Sequence, residues 1–406
     1  MPLKRIYLSF VRTCRSCFFS VEFWDHVFLV VGTCIGGGIT VLPAAMAEQG
    51  CFKGLITLTT SSIFSLSSSL LFLELFSNRD SENFFSLFKR KLPSALYFIA
   101  LCIHSFICFS SIVAYIAGMA SELMNIQIPG GYLFGAFLVV LFGVILLGSS
   151  RDALMYVNSF LVKALFICFF CLLFYMANLF DCRSITWVRG ESVLSSLPIC
   201  LTSFSHQMII PSLRVNSQNS FLIKRAIIFG IFLTWLMYVL WVIFSFGSLP
   251  LDGPNSLIES YQAGIPMTIP LANTLQMKFF AFLSTCFSLI VLFTSFLGIT
   301  LSFIDFLRGC FKQPLFHNRS ILPFYVLLLA SLFAVCIPKV FLYSLNLSGG
   351  LGDATLYGLI PVYIALQELK LGSLHLRVLN WQGMLFLIII GSLSIVTEVS
   401  QLFFAS

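Results

Sequence analysis

Residues 31–43 read Val31-Gly32-Thr33-Cys34-Ile35-Gly36-Gly37-Gly38-Ile39-Thr40-Val41-Leu42-Pro43. Four glycines stand close together, and a proline follows. A glycine in a helix interior costs about 1 kcal/mol relative to alanine, and proline removes a backbone donor. Yet the stretch lies inside an apolar run, 22–46, and about 20 such residues suffice to cross a bilayer. Irregular backbone at membrane depth is tolerated only where it is buried in protein or lines a cavity. The run is therefore expected to be a spanning helix broken at its middle, with freed N–H and C=O groups facing a ligand. Gly32 and Gly36 also form one G-x-x-x-G contact motif. That motif leaves Gly37, Gly38 and Pro43 unexplained.

The surrounding chain suits lipid. Of its 406 residues, 59% are apolar and only 10% charged. Soluble domains carry about 25% charged residues, and so few charges could not cover a water-soluble fold of this size. Disorder, coiled coil, collagen and a small disulfide scaffold are excluded by the same composition. Apolar runs recur at about 22–46, 54–76, 94–121, 131–149, 155–179, 192–213, 225–247, 277–307, 321–338, 343–366 and 382–404. The short alternating segments of a membrane β-barrel are absent. The expectation is an all-α integral membrane protein with eleven transmembrane helices.

Basic residues set the orientation. With the N-terminus cytoplasmic, inner segments hold 17 of the 23 Lys and Arg, including Lys4, Arg5, Lys89, Arg90, Lys91, Lys224 and Arg225. Outer segments hold five: Lys53, Arg183, Arg189, Lys278 and Lys339. Lys163 alone is left inside a span. Eleven spans then place the C-terminus outside. Ala45-Met46-Ala47 has the form of a signal cleavage site, but the apolar run before it is too long for a signal peptide. Segment 1–21 reads as a cytoplasmic tail. Cys14-Arg15-Ser16-Cys17 lacks a second ligand pair and is not read as a metal site. Cys51 and Cys182 both fall outside, with no geometry in the sequence to pair them.

The sixth run supplies a counterpart to the first. It reads Leu197-Pro198-Ile199-Cys200-Leu201-Thr202-Ser203-Phe204-Ser205-His206-Gln207-Met208-Ile209-Ile210-Pro211. Two prolines bracket a polar core inside an apolar stretch. Interrupted segments at corresponding positions of two halves point to a secondary transporter built on an inverted repeat. The halves are expected at 22–179 and 192–366, five helices each, with 382–404 as an extra eleventh helix.

These motifs resemble the bacterial aromatic amino-acid permeases, the tyrosine-specific and tryptophan permease family, within the amino acid–polyamine–organocation superfamily. The residues Gly32-Thr33-Cys34-Ile35-Gly36-Gly37-Gly38 with Pro43 and Gly50 match its first span. Thr202-Ser203-Phe204 through Pro211 resembles its sixth, Tyr357-Gly358-Leu359-Ile360-Pro361 its tenth, and Val157-Asn158 with Lys163 the opening of its fifth. Gly37 stands where the family commonly has alanine. Anchored on Pro211, Ser205 stands where it has glycine and Gln207 where it tends to have histidine, with His206 one position off. The resemblance implies a five-plus-five repeat with broken helices 1 and 6. It further implies import of tyrosine or tryptophan across the bacterial inner membrane by alternating access, with protons as coupling ion. In several proton-coupled relatives of the superfamily a fifth-span lysine stands where others bind a sodium ion, and Lys163 is the residue that matches. Counted from Ala153 it lies about 15 Å into the span; counted from Ser159 it is shallow, and the alternative is a lysine snorkelling to the inner face.

The physical requirements of an amino acid single out the site residues. Its carboxylate needs N–H donors and positive helix ends, which the breaks at Gly36, Gly37, Gly38 and at Ser203, Ser205 supply. Its ammonium needs freed carbonyls. An aromatic ring needs an apolar wall, for which Phe204 is placed, and glycines beside it leave volume. Thr33 joins the set from the first motif. His104, Cys108, Ser111 and Tyr115 share a stripe about 60° wide on the third span, so His104 is added; interhelical hydrogen bonding is the equal alternative. Ser284, Ser288, Ser295 and Ser302 share a face of the eighth span, a weak signal. Ser348-Gly349-Gly350-Leu351-Gly352-Asp353 is read as a loop near an outer gate. A transporter of another small amino acid or amine is the alternative function. A membrane-embedded enzyme would need a catalytic or metal cluster, and no such spacing, nucleotide loop or nucleic-acid motif is present. No cofactor is called for, lipid is the surrounding partner, and oligomeric state is not legible.

Overall fold

The computed structural model describes residues 21–76, 84–190, 194–216, 219–274, 277–310, 321–337, 339–371 and 380–404. The N-terminal tail with its Cys14/Cys17 pair, and the basic residues Arg79, Lys312, Arg319 and Arg377, lie outside them. Among the described residues the fold is all helix and loop, with no strand.

The first run is interrupted. Helix α1 (Val21–Cys34) stops at Ile35-Gly36, a 3-10 turn follows at Gly37–Thr40, and α2 (Leu42–Met46) restarts with Pro43 in its first turn. Proline is tolerated there because the first-turn N–H groups have no intrahelical partner. Helices α3 (Cys51–Leu75), α4 (Phe84–Lys91), α5 (Ser94–Asn125), α6 (Gly131–Gly148) and α7 (Arg151–Leu179) follow. The sixth run is also interrupted: α8 (Leu197–Ser203), a 3-10 turn at Gln207–Ile209, then α9 (Ile210–Asn216).

Then come α10 (Ser220–Ser248), α11 (Leu257–Ala263), α12 (Thr268–Thr274), α13 (Lys278–Cys310), α14 (Ile321–Cys336), α15 (Val340–Leu347), α16 (Ile360–Lys370) and α17 (Trp381–Phe404). Eight described helical runs are long and apolar enough to cross a membrane. The others at expected spans are the two broken runs and the shorter α14.

Two differences from the sequence expectations matter. Ser348–Leu359 is not a loop. It is a buried, wide-turned π-helical segment that joins α15 to α16 in one 31-residue helical run. Its glycines suggest a loop in the sequence, yet they serve close approach. A Cβ on Gly349 would strike the Pro198 carbonyl and the Thr202 hydroxyl, and one on Gly352 would strike Ile107. Second, residues 257–274 form two short helices, α11 and α12, where no element was expected. Ser256 caps α11 by accepting from the Glu259 N–H, and Gly264 ends it at φ +71°.

Helix α1 packs on α10, α5 on α13, and the π segment on α8 and α17. Most buried apolar side chains form one core, and a second cluster, including Phe64, Phe72, Tyr357 and Leu387, joins α3, the π segment and α17. Lys91 pairs with Glu368, tying α4 to α16. Cys51 and Cys182 are both free thiols, the first buried and the second exposed.

Candidate functional site

The two breaks meet. A Cβ built on Gly38 would overlap the Ser203 hydroxyl and lie 2.9 Å from the Ser203 Cα. Only a glycine lets the chain pass so near. Each half-helix ends with carbonyls that have no helical partner, and one side chain serves both ends. The Tyr238 hydroxyl of α10 lies 2.6 Å from the Cys34 carbonyl and 2.9 Å from the Ser203 carbonyl. One turn further along α10, Trp241 Nε1 donates to the Ile39 carbonyl at 2.8 Å. The Thr40 hydroxyl donates to the Gly37 carbonyl at 2.7 Å, and the Thr40 carbonyl accepts from the Met267 N–H at 2.8 Å.

The break after α8 is held from α3. Ser65 donates to the Phe204 carbonyl at 2.7 Å, and Ser69 pairs with His206 Nε2 at 2.9 Å. His206 Nδ1 lies 2.9 Å from the same Phe204 carbonyl, and the His206 N–H donates to Gln207 Oε1. His206 and Gln207 are thus both buried members of one network.

Side chains from α5 and α13 cover the glycines. A Cβ on Gly36 would meet Ser295 Oγ at 2.7 Å, and one on Gly37 would meet Tyr115 Cε1 at 2.7 Å and Leu292 at 3.3 Å. The volume expected beside the glycines is therefore lined at close range by Tyr115, Ser295 and Ser203. The Ser295 hydroxyl is buried and faces Tyr115 across Gly36. Asp353, on the π segment, lies within electrostatic range of Ser205, Cys108 and Tyr115.

Residues 20–401 match the tryptophan/tyrosine permease family. The chain belongs to that family. It is 27% identical over 369 residues to the low affinity tryptophan permease of Escherichia coli K12, covering 86% of this chain and 87% of the relative. It is 26% identical over 386 residues to the tryptophan-specific transport protein of Shigella flexneri, covering 90% and 91%. With tyrosine-specific transport system 1 of Haemophilus influenzae it shares 25% over 383 residues, covering 89% and 92%. Membership in this permease family sets the membrane-enzyme alternative aside.

Of the residues singled out from the sequence, the structure gathers Gly36, Gly37, Gly38, Ser203 and Ser205 of this permease around the contact between the breaks. Phe204 lies there too, but its ring is fully buried, 5.2 Å edge-on to the Tyr238 ring, inside the main core. It contributes its carbonyl to the network.

Three residues are placed elsewhere. Thr33 is half-buried, with its hydroxyl returned to the Leu29 carbonyl at 2.6 Å. His104 lies on the buried face of α5 as expected, but eleven residues before Tyr115, about 16 Å along the helix. There it packs edge-on to Phe85 and Phe306 and 3.5 Å from the Cys108 sulfur. Lys163 is exposed, on the side of α7 that carries Tyr156, Phe160, Ile167 and Phe174, opposite the buried Leu165, Phe169, Leu172 and Met176. Its ammonium points away from the breaks, and the stem is free to extend along the lipid face toward water.

Sequence reasoning misses Tyr238, Trp241, Ser65 and Ser69, and it assigns Asp353 to a loop near an outer gate rather than to the site. Asp353 had a signal, since an acid inside an apolar run is a functional hypothesis by default. The others carried none, because each is an ordinary residue type at an ordinary helical position.

Proposed function

We propose that the protein is a secondary transporter that imports an aromatic amino acid, tyrosine or tryptophan, across the bacterial inner membrane by alternating access, with protons as coupling ion. The observation that carries this reading is the contact between the two broken helices, whose interrupted backbones meet at Gly38 and Ser203. Freed N–H groups near Gly36 and Gly37 suit a carboxylate and freed carbonyls an ammonium. The relatives are named for transport of tryptophan or tyrosine.

We read the architecture as a five-plus-five inverted repeat, 22–179 and 192–366, with an eleventh helix and a cytoplasmic N-terminus. The arrangement supports a gating role for Tyr238, which holds one end of each break from a single helix. Breaking those contacts would let α1 and α8 move relative to α10.

Uptake of labelled tyrosine and tryptophan into proteoliposomes, with mutual competition and with sodium absent, tests the reading. Saturable uptake of either, blocked by the other and driven by a pH gradient, is the expected result. Uptake only of a non-aromatic amino acid or amine would overturn the substrate assignment. A strict sodium requirement would overturn the coupling.

A further inference from the structure

Asp353 is 2% exposed, and neither of its carboxylate oxygens has a hydrogen-bond partner among the described residues. It lies near the middle of the helical run Val340–Lys370, at the depth where water is scarcest. The glycines around it draw neighbours in: Gly349 lies against α8, Gly352 against Ile107 of α5, and Gly350 against Glu398 of α17. Ser205 of the sixth-run break, Cys108 and Tyr115 of α5, and Tyr357 of the π segment itself lie within electrostatic range of the carboxyl. Tyr115 in turn packs on Gly36 and Gly37. The acid therefore interacts with Ser205 of one break and with Tyr115, which packs on the other.

The other titratable groups on the packed elements do not neutralise it. His206 is occupied by Ser69 and the Phe204 carbonyl. Cys200 is a buried thiol, and His104 sits between Phe85 and Phe306. Glu398 is a second buried acid with an unpartnered oxygen, but it touches Gly350 and not the breaks. Lys53, Lys339 and Lys370 stand at or beside the ends of their helices, as do the acids Glu74 and Glu368. An ionised carboxylate buried without a cation is strongly disfavoured, and adding a proton removes the charge. The charge on Asp353 is thus linked to how closely α5, α8 and α17 surround it.

We propose that Asp353 is the site that carries the coupling proton. This rests on the proton-symport reading above. The carboxylate accepts a proton when the pathway to the outside admits water. The neutral acid then permits the close packing around it, and it releases the proton when the inner side opens. No other bond is made or broken.

The test compares wild type with Asp353→Asn in proteoliposomes, using labelled tryptophan and tyrosine. Two assays are run: accumulation with the outside more acidic, and counterflow exchange at equal pH. One proton per substrate supports accumulation of about tenfold per pH unit. Wild type should accumulate. The Asn variant, permanently neutral, should exchange at a rate near wild type, with little dependence on pH, and fail to accumulate.

Gradient-driven accumulation by the Asn variant would overturn the proposal. So would loss of exchange by a monodisperse variant of normal thermal stability, since that makes Asp353 a substrate contact. Should the Asn variant not reach the membrane, Asp353→Glu carries the test. It should keep accumulation with a displaced pH profile, and an unchanged profile overturns the assignment. Wild type that exchanges but does not accumulate under the gradient would instead defeat the symport reading itself.

Discussion

Gly38 and Ser203 sit so close that a methyl group on the glycine would fall on the serine hydroxyl. They belong to different halves of the chain, and each marks the place where a helix gives up its regular hydrogen bonds. Their contact makes one structural unit of two interrupted helices. It also explains why position 38 is a glycine despite the cost in helix stability.

Gly38→Val is therefore expected to abolish uptake. The added branches collide with the Ser203 side chain and backbone, and overpacking of this kind costs about 1–3 kcal/mol. Membrane insertion should persist, because the apolar length of the run is unchanged. Uptake measured beside expression level checks this. A variant that is well expressed and transports normally would show that the close contact is dispensable.

Removing one oxygen tests the shared clamp. Tyr238→Phe leaves the Cys34 and Ser203 carbonyls without the hydroxyl that lies 2.6 and 2.9 Å away. Each unsatisfied buried polar group costs about 1–3 kcal/mol. A lower thermal midpoint and slower exchange are expected together. Exchange that speeds up at reduced stability would still fit a gate, whereas no change in either quantity would not.

Phe204→Ala bears on selectivity. The sequence placed this ring against a substrate ring, but it is fully buried against Tyr238. Truncating a buried phenylalanine typically costs about 3–5 kcal/mol. The variant should lose stability, and its affinity for all substrates should fall alike. Selective loss of aromatic substrates, at normal stability, would instead put the ring in the substrate pocket.

Two hydrogen bonds tie the pair of short helices α11 and α12 to α5 and to the first break. The Thr268 hydroxyl bonds Glu122 of α5, and the Met267 N–H bonds the Thr40 carbonyl at 2.8 Å. Thr268→Val removes the first and leaves the Glu122 carboxyl buried without that donor. Hydrogen–deuterium exchange across 257–274 should accelerate, because local opening becomes easier. Unchanged protection would mean that the Thr40 contact and apolar packing suffice.

Lys163→Met should retain gradient-driven accumulation, since the side chain lies on the outward face of α7. Loss of accumulation with exchange preserved would return the coupling role to this lysine.

The sequence alone determined the class of molecule and the position of both breaks. Apolar runs of about 20 residues have one stable form in lipid, and clustered glycine and proline have few uses inside such a run. Motif resemblance likewise sufficed to find the family, because the first-span glycines are local in the chain. Tertiary structure decided which side chains meet. Tyr238, Ser65 and Asp353 are remote in sequence from the backbone they serve, and a period of 3.6 residues tells which face of a helix is polar but not what that face touches. The glycines at 349–352 show the limit most clearly. In sequence they are indistinguishable from a flexible loop, and only the packing of α5, α8 and α17 against them reveals a closely packed helical segment. Lys163 shows the same limit in reverse. Its depth could be counted along the helix, but its direction depended on which side of α7 its neighbours cover.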